Sequence, residues 1–435
     1  MKKAFVLDPG GPPRPVDKYD TPRLMAEEGQ VRFHMMIKPA GSACNLNCTY
    51  CFYLSKATLA DGPDQRNMSD ETLELLIKSY IRDVTANEVV FTWQGGEPTL
   101  RGLDFFKKAA ALQKKYARPG QIILNDLQTN GTLIDEAWCR FLKENDFLVG
   151  LSIDGPEHLH DAFRKAKDGS PTFNKVVRAA ELLQRFDVPF NTLTSVNRMN
   201  GTHPLEVYRF LRQELGATHI QFTPVVEPKG FEQAAPQWKE GSHMPGTNDP
   251  RARPGHPESV VTDWSVDPKD WGTFLCTVFD EWCNRDLGKV LVNQFETLVS
   301  QNLGLGPQMC VYAEACGKAV AIEHDGRVYS CDHLVYPQHE IGNIHENRLR
   351  DIVLFRGQVK FGYAKTETLP RYCRNCAYVS DCQGECPKNR LLGTPDGEPG
   401  LNYLCSGLKA FYGHALPEIE RIVATLRQPT SDITP

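Results

Sequence analysis

Three cysteines, Cys44, Cys48 and Cys51, fall within eight residues of the stretch ACNLNCTYCFYL. A structural zinc takes four ligands and a disulfide takes two, so three thiols at this spacing satisfy neither alone. A [4Fe–4S] cluster held through three irons leaves its fourth iron open to a small ligand, whereas four-thiolate ligation is the closed arrangement. An open iron points to chemistry. The competing reading is a zinc site completed by a distant side chain such as His34.

A second cysteine field lies toward the C-terminus: Cys310, Cys316 and Cys331, then Cys373, Cys376, Cys382, Cys386 and Cys405. These make two sets of four, which fits two fully ligated clusters or two structural zincs. A closed cluster cannot bind substrate without losing a ligand, so its natural role is to accept or relay an electron. Asp332 follows Cys331 directly and sets a carboxylate beside this field; its bland alternative is a turn residue bonding its own backbone. Of the 14 cysteines, Cys139, Cys276 and Cys283 remain, all in predicted helices, where free cysteine packs as a small apolar group.

Positioning these groups falls to a regular alternation over about 31–286. Strand-length apolar runs at 31–38, 88–93, 122–128, 147–153, 190–195 and 219–225 alternate with helix-length amphipathic runs at 69–84, 103–116, 135–145, 171–186, 203–215 and 268–286. Such β-then-α units predict a parallel sheet covered by helices, with ligands at the carboxyl ends of the strands. The motifs follow that rule. ACNLNCTYC comes after the first strand, QGGEP after the second, TNG after the third and DGP after the fourth. Residues 227–266 interrupt the pattern with a Pro-, Gly- and His-rich stretch, read as a substrate-side lid or a mobile insert. Further on, VAIEHDGRVYSC carries a β-hairpin signal at Asp325-Gly326, and a last helix is predicted over 416–427.

The 435 residues carry a formal net charge of −5, which gives no electrostatic case for nucleic acid. No apolar run approaches the ~20 residues of a membrane span, and the apolar patch in MKKAFVLDPGG is too short for a signal sequence. A cytoplasmic protein is expected, where clustered cysteines bind metal or do redox chemistry.

CNLNCTYCFY resembles the radical S-adenosylmethionine signature, with Tyr50 as the aromatic before the last cysteine. GGEP at Gly95–Pro98 resembles that family's second motif, which meets the amino group of S-adenosylmethionine. The resemblance spans about 31–225. It implies an α/β fold, a partial (β/α)6 barrel, and a cluster whose open iron chelates S-adenosylmethionine. One-electron cleavage then yields a 5′-deoxyadenosyl radical that abstracts a hydrogen atom, the cofactor carrying the hard chemistry. Candidate cofactor contacts are Tyr50, Tyr53, Gln94, Gly95, Gly96, Glu97, Thr129, Asn130, Ser152, Asp154 and Arg164. Each has a plainer alternative as a packing, turn or solvated residue. Asn191, Thr192 and Gln221 are candidates for holding a peptide backbone.

The second field resembles the SPASM domain of radical enzymes that act on peptides and proteins. That resemblance implies one auxiliary [4Fe–4S] cluster on Cys310, Cys316, Cys331 and Cys386, and a second on Cys373, Cys376, Cys382 and Cys405, so three clusters in all. The expected organisation is an N-terminal extension (1–30), the barrel (31–300, with the 227–266 insert), the SPASM domain (301–415), and a terminal helix and tail (416–435).

CVYAEACGKAVAIEHDGRVYSCDH, Cys310 to His333, and IGNI at Ile341–Ile344 resemble the anaerobic sulfatase-maturating enzymes. These oxidise a cysteine or serine of a sulfatase, in a Cys/Ser-x-Pro-x-Arg motif, to Cα-formylglycine. The oxidation removes a hydrogen atom from Cβ, a proton from the heteroatom and an electron. The resemblance gives Asp332 the proton and an auxiliary cluster the electron, with a ferredoxin or flavodoxin as the external donor. Two other readings share parts of the pattern. One is a SPASM enzyme that crosslinks or epimerises a small ribosomal peptide, but only about 30 residues precede the first strand, too few for a separate recognition domain. The other is an iron–sulfur electron carrier with no catalysis, which the open three-cysteine site argues against.

Overall fold

The computed structural model describes residues 30–58, 67–232 and 244–428, preceded by three two-residue strands. Seven parallel strands run in sequence order: β1 (His34–Ile37), β2 (Glu88–Trp93), β3 (Ile122–Thr129), β4 (Phe147–Ser152), β5 (Phe190–Val196), β6 (His219–Pro224) and a two-residue β7 (Leu291–Val292). Helices α1 (Asp70–Asp83), α2 (Gly102–Tyr116), α3 (Glu136–Glu144), α4 (Glu157–Phe163), α5 (Phe173–Arg185), α6 (Pro204–Arg209) and α7 (Pro268–Arg285) cover the outer face. Three of them start on a side-chain cap: Ser69 accepts from Thr72 N, Asp135 from Trp138 N, and Asp267 from Lys269 N. Alternation along β2 sends Val89, Phe91 and Trp93 into the helix-covered core.

The sheet does not stop at β1. Strand β8 (Ala319–Ile322) lies parallel to β1, in register from Ala319 opposite His34 to Ile322 opposite Ile37. The predicted hairpin then returns as β9 (Arg327–Tyr329), and β10 (Glu340–Asn343) completes a ten-stranded sheet. The barrel and the cysteine-rich region are thus joined by backbone hydrogen bonds, Lys38 N donating to Ile322 O at 2.9 Å.

Several expectations are corrected. The last helix is not 416–427 but Cys405–Arg427, with Pro417 inside it. Pro417 is carried in mid-helix while the apolar face on either side, Phe411 and Tyr412 before it and Ile419 and Val423 after it, stays packed. Helices at Glu157–Phe163, Asn293–Leu303, Leu349–Leu354 and Arg356–Glu367 were not anticipated. The 227–266 stretch is no free insert where it is described. Val261 and Val266 are fully buried, Pro228 bridges Val261, and Gly393 N donates to Pro245 O at 3.0 Å. It packs on the body because these apolar side chains enter the core. Residues 233–243 lie outside the described part. Among the described residues, no helix is long and apolar enough to cross a membrane.

The terminal helix returns to pack on α7, backbone against backbone. A Cβ on Gly407 would stand 1.9 Å from Pro268 O, and one on Gly272 would stand 2.7 Å from Gly407 Cα. Backbone atoms cannot rotate away as a side chain can. Gly407→Ala is therefore expected to destabilise the protein by about 3 kcal/mol, the upper end for overpacking. Gly246→Ala, with nothing within 4 Å of its Cβ, should stay within about 0.5 kcal/mol; thermal unfolding of the two variants checks the contrast.

Candidate active site

The cysteine loop and the GGEP turn are built as one piece. After β1 the chain turns through Gly41 to Ala43; after β2 it presents Gln94 to Glu97. Gly96 N donates to Gly41 O at 2.9 Å and Glu97 N to Ala43 O at 2.7 Å. A Cβ on Gly96 would lie 2.0 Å from Ala43 O, so glycine is required for this approach. Glu97 is 1% exposed, and its carboxylate accepts from Thr99 N, Thr99 Oγ1, Thr129 Oγ1 and Asn130 N at 2.6–3.0 Å. Those four bonds tie the ends of β2 and β3 together. Asn130 Nδ2 in turn lies 2.9 Å from Asn45 Oδ1 and 3.8 Å from Cys44 Sγ.

A second buried group closes the other side. The Tyr50 hydroxyl donates to Asp154, and Arg164 Nε lies 3.0 Å from the same carboxylate. Ser195 N donates to Asp154 Oδ1 at 3.0 Å, and Arg164 Nη2 donates to Ser195 Oγ at 3.3 Å. Ser152 Oγ accepts from Gln128 Nε2 at 3.0 Å. Beneath this group His160 is fully buried: Asp154 N donates to its Nδ1 at 3.3 Å, and its Nε2 lies 3.1 Å from Thr172 Oγ1.

Cys44, Cys48 and Cys51 perturb one another electrostatically, and burial pushes the Cys44 and Cys48 thiols up to about 11 and about 12. Arg164 works against that shift at Cys48. His34, the candidate fourth zinc ligand, is engaged elsewhere: its Nε2 lies 2.9 Å from Thr92 Oγ1, which donates to Asp126 Oδ2 at 2.7 Å. Among the described residues, no three Cys, His, Asp or Glu side chains gather as a single metal ion would need. A soft three-thiol set beside a cation suits an iron–sulfur cluster, whose binding ionises the thiols.

The eight later cysteines sort by proximity. Cys331 is perturbed by Cys386 and Cys310, and Cys386 by Cys316 and Cys310. Cys382 is perturbed by Cys405 and Cys373, and Cys405 by Cys373 and Cys376. These couplings set Cys310, Cys316, Cys331 and Cys386 near one another, and Cys373, Cys376, Cys382 and Cys405 near one another. Of the remaining three, Cys139 is fully buried, and Cys276 and Cys283 pack against the core.

Asp332 is paired with Lys38, whose side chain is 1% exposed. Burial alone would raise the Asp332 pKa, but Lys38, His333 and Lys56 more than offset it and hold it below the ordinary range. Lys38 leaves the end of β1, and a Cβ on Gly95 would stand 3.1 Å from its Cδ. Its ammonium lies 4.5 Å from the Tyr53 ring. Tyr53 donates to Glu323 and packs with Ala321, Tyr329 and Val335, so it belongs to this Lys38–Asp332 group, apart from the Glu97 turns. Gln94 is half-buried, its N donating to Ile37 O at 2.9 Å.

The radical SAM superfamily pattern matches residues 39–211, and that of an iron–sulfur cluster-binding domain, SPASM, matches 310–377. The chain is 43% identical over 387 residues to the serine-type anaerobic sulfatase-maturating enzyme of Bacteroides thetaiotaomicron, covering 89% of this chain and 90% of that one. It is 34% identical over 396 residues to a cysteine-type enzyme of Clostridium perfringens, covering 90% and 99%. The chain belongs to the anaerobic sulfatase-maturating enzymes. Its fold matches native anSMEcpe with bound AdoMet and Cp18Cys peptide at a TM-score of 0.77 and 33% identity, over 91% of this chain and 99% of that one. It is a radical SAM enzyme with a SPASM domain, and its cofactors are S-adenosylmethionine and iron–sulfur clusters.

In this sulfatase-maturating chain the residues that sequence reasoning missed are mostly charged. Lys38 reads as the polar end of a strand, MMIKP. Lys388 pairs with Glu227 at 2.9 Å, clasping the cysteine-rich region to the end of β6. Lys56 is buried, 3.1 Å from the centre of the Tyr336 ring, and burial pushes its pKa down to about 7. The peptide-backbone candidates divide: Asn191 and Gln221 lie on the inner face, Asn293 Nδ2 donating to Gln221 Oε1 at 3.0 Å, while Thr192 is fully buried on the outer face. Neighbouring strand residues point to opposite faces, which removes Thr192 from that pair.

Burial pushes the His160 pKa down to about 3, from an ordinary 6.5. Between those values the unfolded chain binds a proton that the folded chain does not, so stability rises with pH there and falls on acidification. Removing the group as His160→Asn should take about one proton, roughly 1.4 kcal/mol per pH unit, off the acid slope. Urea midpoints measured from about pH 5 to 6.5 check it; an unchanged slope would mean His160 titrates normally.

Proposed function

We propose that this enzyme oxidises one cysteine or serine of a sulfatase, presented in a Cys/Ser-x-Pro-x-Arg segment, to Cα-formylglycine, with Asp332 as the base. The observation that carries the reading is the Lys38–Asp332 pair. It sets an ionised carboxylate next to cluster ligand Cys331 and against the end of β1, which leads into the other cysteine loop. A base must reach its proton and be unprotonated when it does, and Lys38 supplies the second condition.

The residues fit their cofactors as follows. Cys44, Cys48 and Cys51 would hold a [4Fe–4S] cluster through three irons. The turns at Gly95–Glu97 and Thr129–Asn130, with Ser152 and the Tyr50–Asp154–Arg164 group, would hold S-adenosylmethionine. The two later cysteine sets would each hold a closed [4Fe–4S] cluster, for three in all. When bound, these groups supply hydrogen-atom removal from the substrate Cβ and acceptance of one electron. Asp332 takes the proton of the heteroatom, and that transfer neutralises the carboxylate and loosens its hold on Lys38. For serine the product is the aldehyde; for cysteine it is a thioaldehyde, which water converts to the aldehyde with release of hydrogen sulfide. A ferredoxin or flavodoxin is the proposed external electron donor.

The test uses anaerobically reconstituted enzyme, reductant, S-adenosylmethionine and paired serine and cysteine peptides, with mass spectrometry of peptide and 5′-deoxyadenosine. The serine peptide is the natural first choice, given the higher identity to the serine-type relative. Asp332→Asn should lower aldehyde formation by at least about a hundredfold, within the range of general-base effects, while 5′-deoxyadenosine is still formed. Equal aldehyde formation by wild type and variant would remove Asp332 as the base. Cleavage of S-adenosylmethionine with neither peptide changed would redirect the activity to another peptide.

A further inference from the structure

Two buried cations beside the later cysteines make no ion pair with a carboxylate among the described residues. Lys365, in helix Arg356–Glu367, is 1% exposed. Its ammonium donates to Cys310 O at 3.1 Å, Val311 O at 2.7 Å and also to Ala313 O. Arg390, also 1% exposed, donates to Gly384 O and Gln383 O at 3.4 Å and to Thr368 Oγ1 at 3.1 Å. All of these acceptors are neutral. Lys38, Arg164 and Lys388, by contrast, each face a carboxylate: Asp332, Asp154 and Glu227.

A buried charge without compensation is costly. Burial lowers the pKa of both cations, and the anionic groups that work against it are Cys316, Cys386, Glu385 and Cys310 at Lys365 and Cys373, Cys386, Cys316 and Glu385 at Arg390. Glu385 is 5% exposed and adopts a positive φ of 50° between Cys382 and Cys386. Its carboxylate is occupied by Asn389 Nδ2 at 3.1 Å and Asn402 Nδ2 at 2.7 Å. One carboxylate thus stands near two cations, and the remaining counter-charge must come from the cysteines as thiolates. Thiolates are the form that iron binding imposes. The two cations also differ in their surroundings: the cysteines that act most on Lys365 belong to the set that contains Cys331, whereas those that act most on Arg390 come from both sets.

We propose that Lys365 and Arg390 are the charge-balancing cations of the two auxiliary clusters, with Lys365 raising the reduction potential of the Cys310/Cys316/Cys331/Cys386 cluster and Arg390 acting on both clusters. Reduction adds one electron and no atom to a cluster, so a fixed positive charge beside it favours the reduced state. The electron comes from the substrate carbon on its way to the carbonyl level. Lys365 thereby makes the cluster next to Asp332 the better acceptor. The source of that electron rests on the proposed function; the potentials belong to the chain alone and are measured without peptide.

The experiment is a redox titration of the reconstituted enzyme followed by electron paramagnetic resonance. Added S-adenosylmethionine marks the Cys44/Cys48/Cys51 signal, leaving the other two to be followed. Lys365→Met should lower the reduced-to-oxidised ratio of one auxiliary cluster about tenfold at fixed potential, a shift of about 59 mV for a one-electron couple, and leave the other in place. Arg390→Met should lower both. Lys365→Arg and Arg390→Lys, which keep the charge, should match wild type. Unchanged potentials in iron-replete Lys365→Met would overturn the proposal. Should Lys365→Met fail to load iron, Lys365→Arg decides: normal loading and potential support the charge, whereas the same loss would make Lys365 a brace for the Cys310 turn.

Discussion

The parallel pairing of Ala319–Ile322 with His34–Ile37 is the constraint on which the rest depends. Strand β1 has the GGEP-bearing strand on one side and the first strand of the cysteine-rich region on the other. Its end leads into Cys44, Cys48 and Cys51, and its last side chain before that turn, Lys38, reaches Asp332. A sheet register cannot slip by one residue without turning every side chain over. The two cysteine fields are therefore held at fixed separation by a backbone ladder, with the Lys38–Asp332 ion pair closing the gap.

Around that ladder the buried charges come in ordered couples. Asp154 and Arg164 flank the first cysteine loop, Lys38 and Asp332 mark the junction, and Glu227 and Lys388 clasp the far side. Such pairs add little net stability but are costly to break, which favours their reading as devices of position. Glu97 shows the same logic without a cation, since four donors fix its carboxylate and with it two strand ends. Lys365 and Arg390 have no such partner, and for these two the proposed balance comes from the cysteines.

Much of this was legible in the sequence where the signal is local. The first six strands were found by their apolar runs, and the four motifs stand at strand ends because parallel sheets put their loops there. The Asp325-Gly326 hairpin was legible from turn chemistry alone. What escaped was long-range. Nothing local says that Ala319–Ile322 pairs with a strand nearly three hundred residues earlier, or that Lys38 meets Asp332. The terminal helix escaped at its start, since its buried face begins at Gly407 and Leu408, well before residue 416. The Pro- and Gly-rich stretch after β6 reads as a lid or a mobile insert, yet Val261 and Val266 in its described part are fully buried.

On the proposed function, this architecture directs a radical to the β-carbon of a cysteine or serine beside Asp332. The most direct measurement follows deuterium from a serine peptide labelled at Cβ into 5′-deoxyadenosine. Deuterium from Cβ should appear in that product together with an aldehyde peptide if the radical acts at that carbon. Deuterium drawn instead from a Cα-labelled peptide, with none from Cβ, would contradict it.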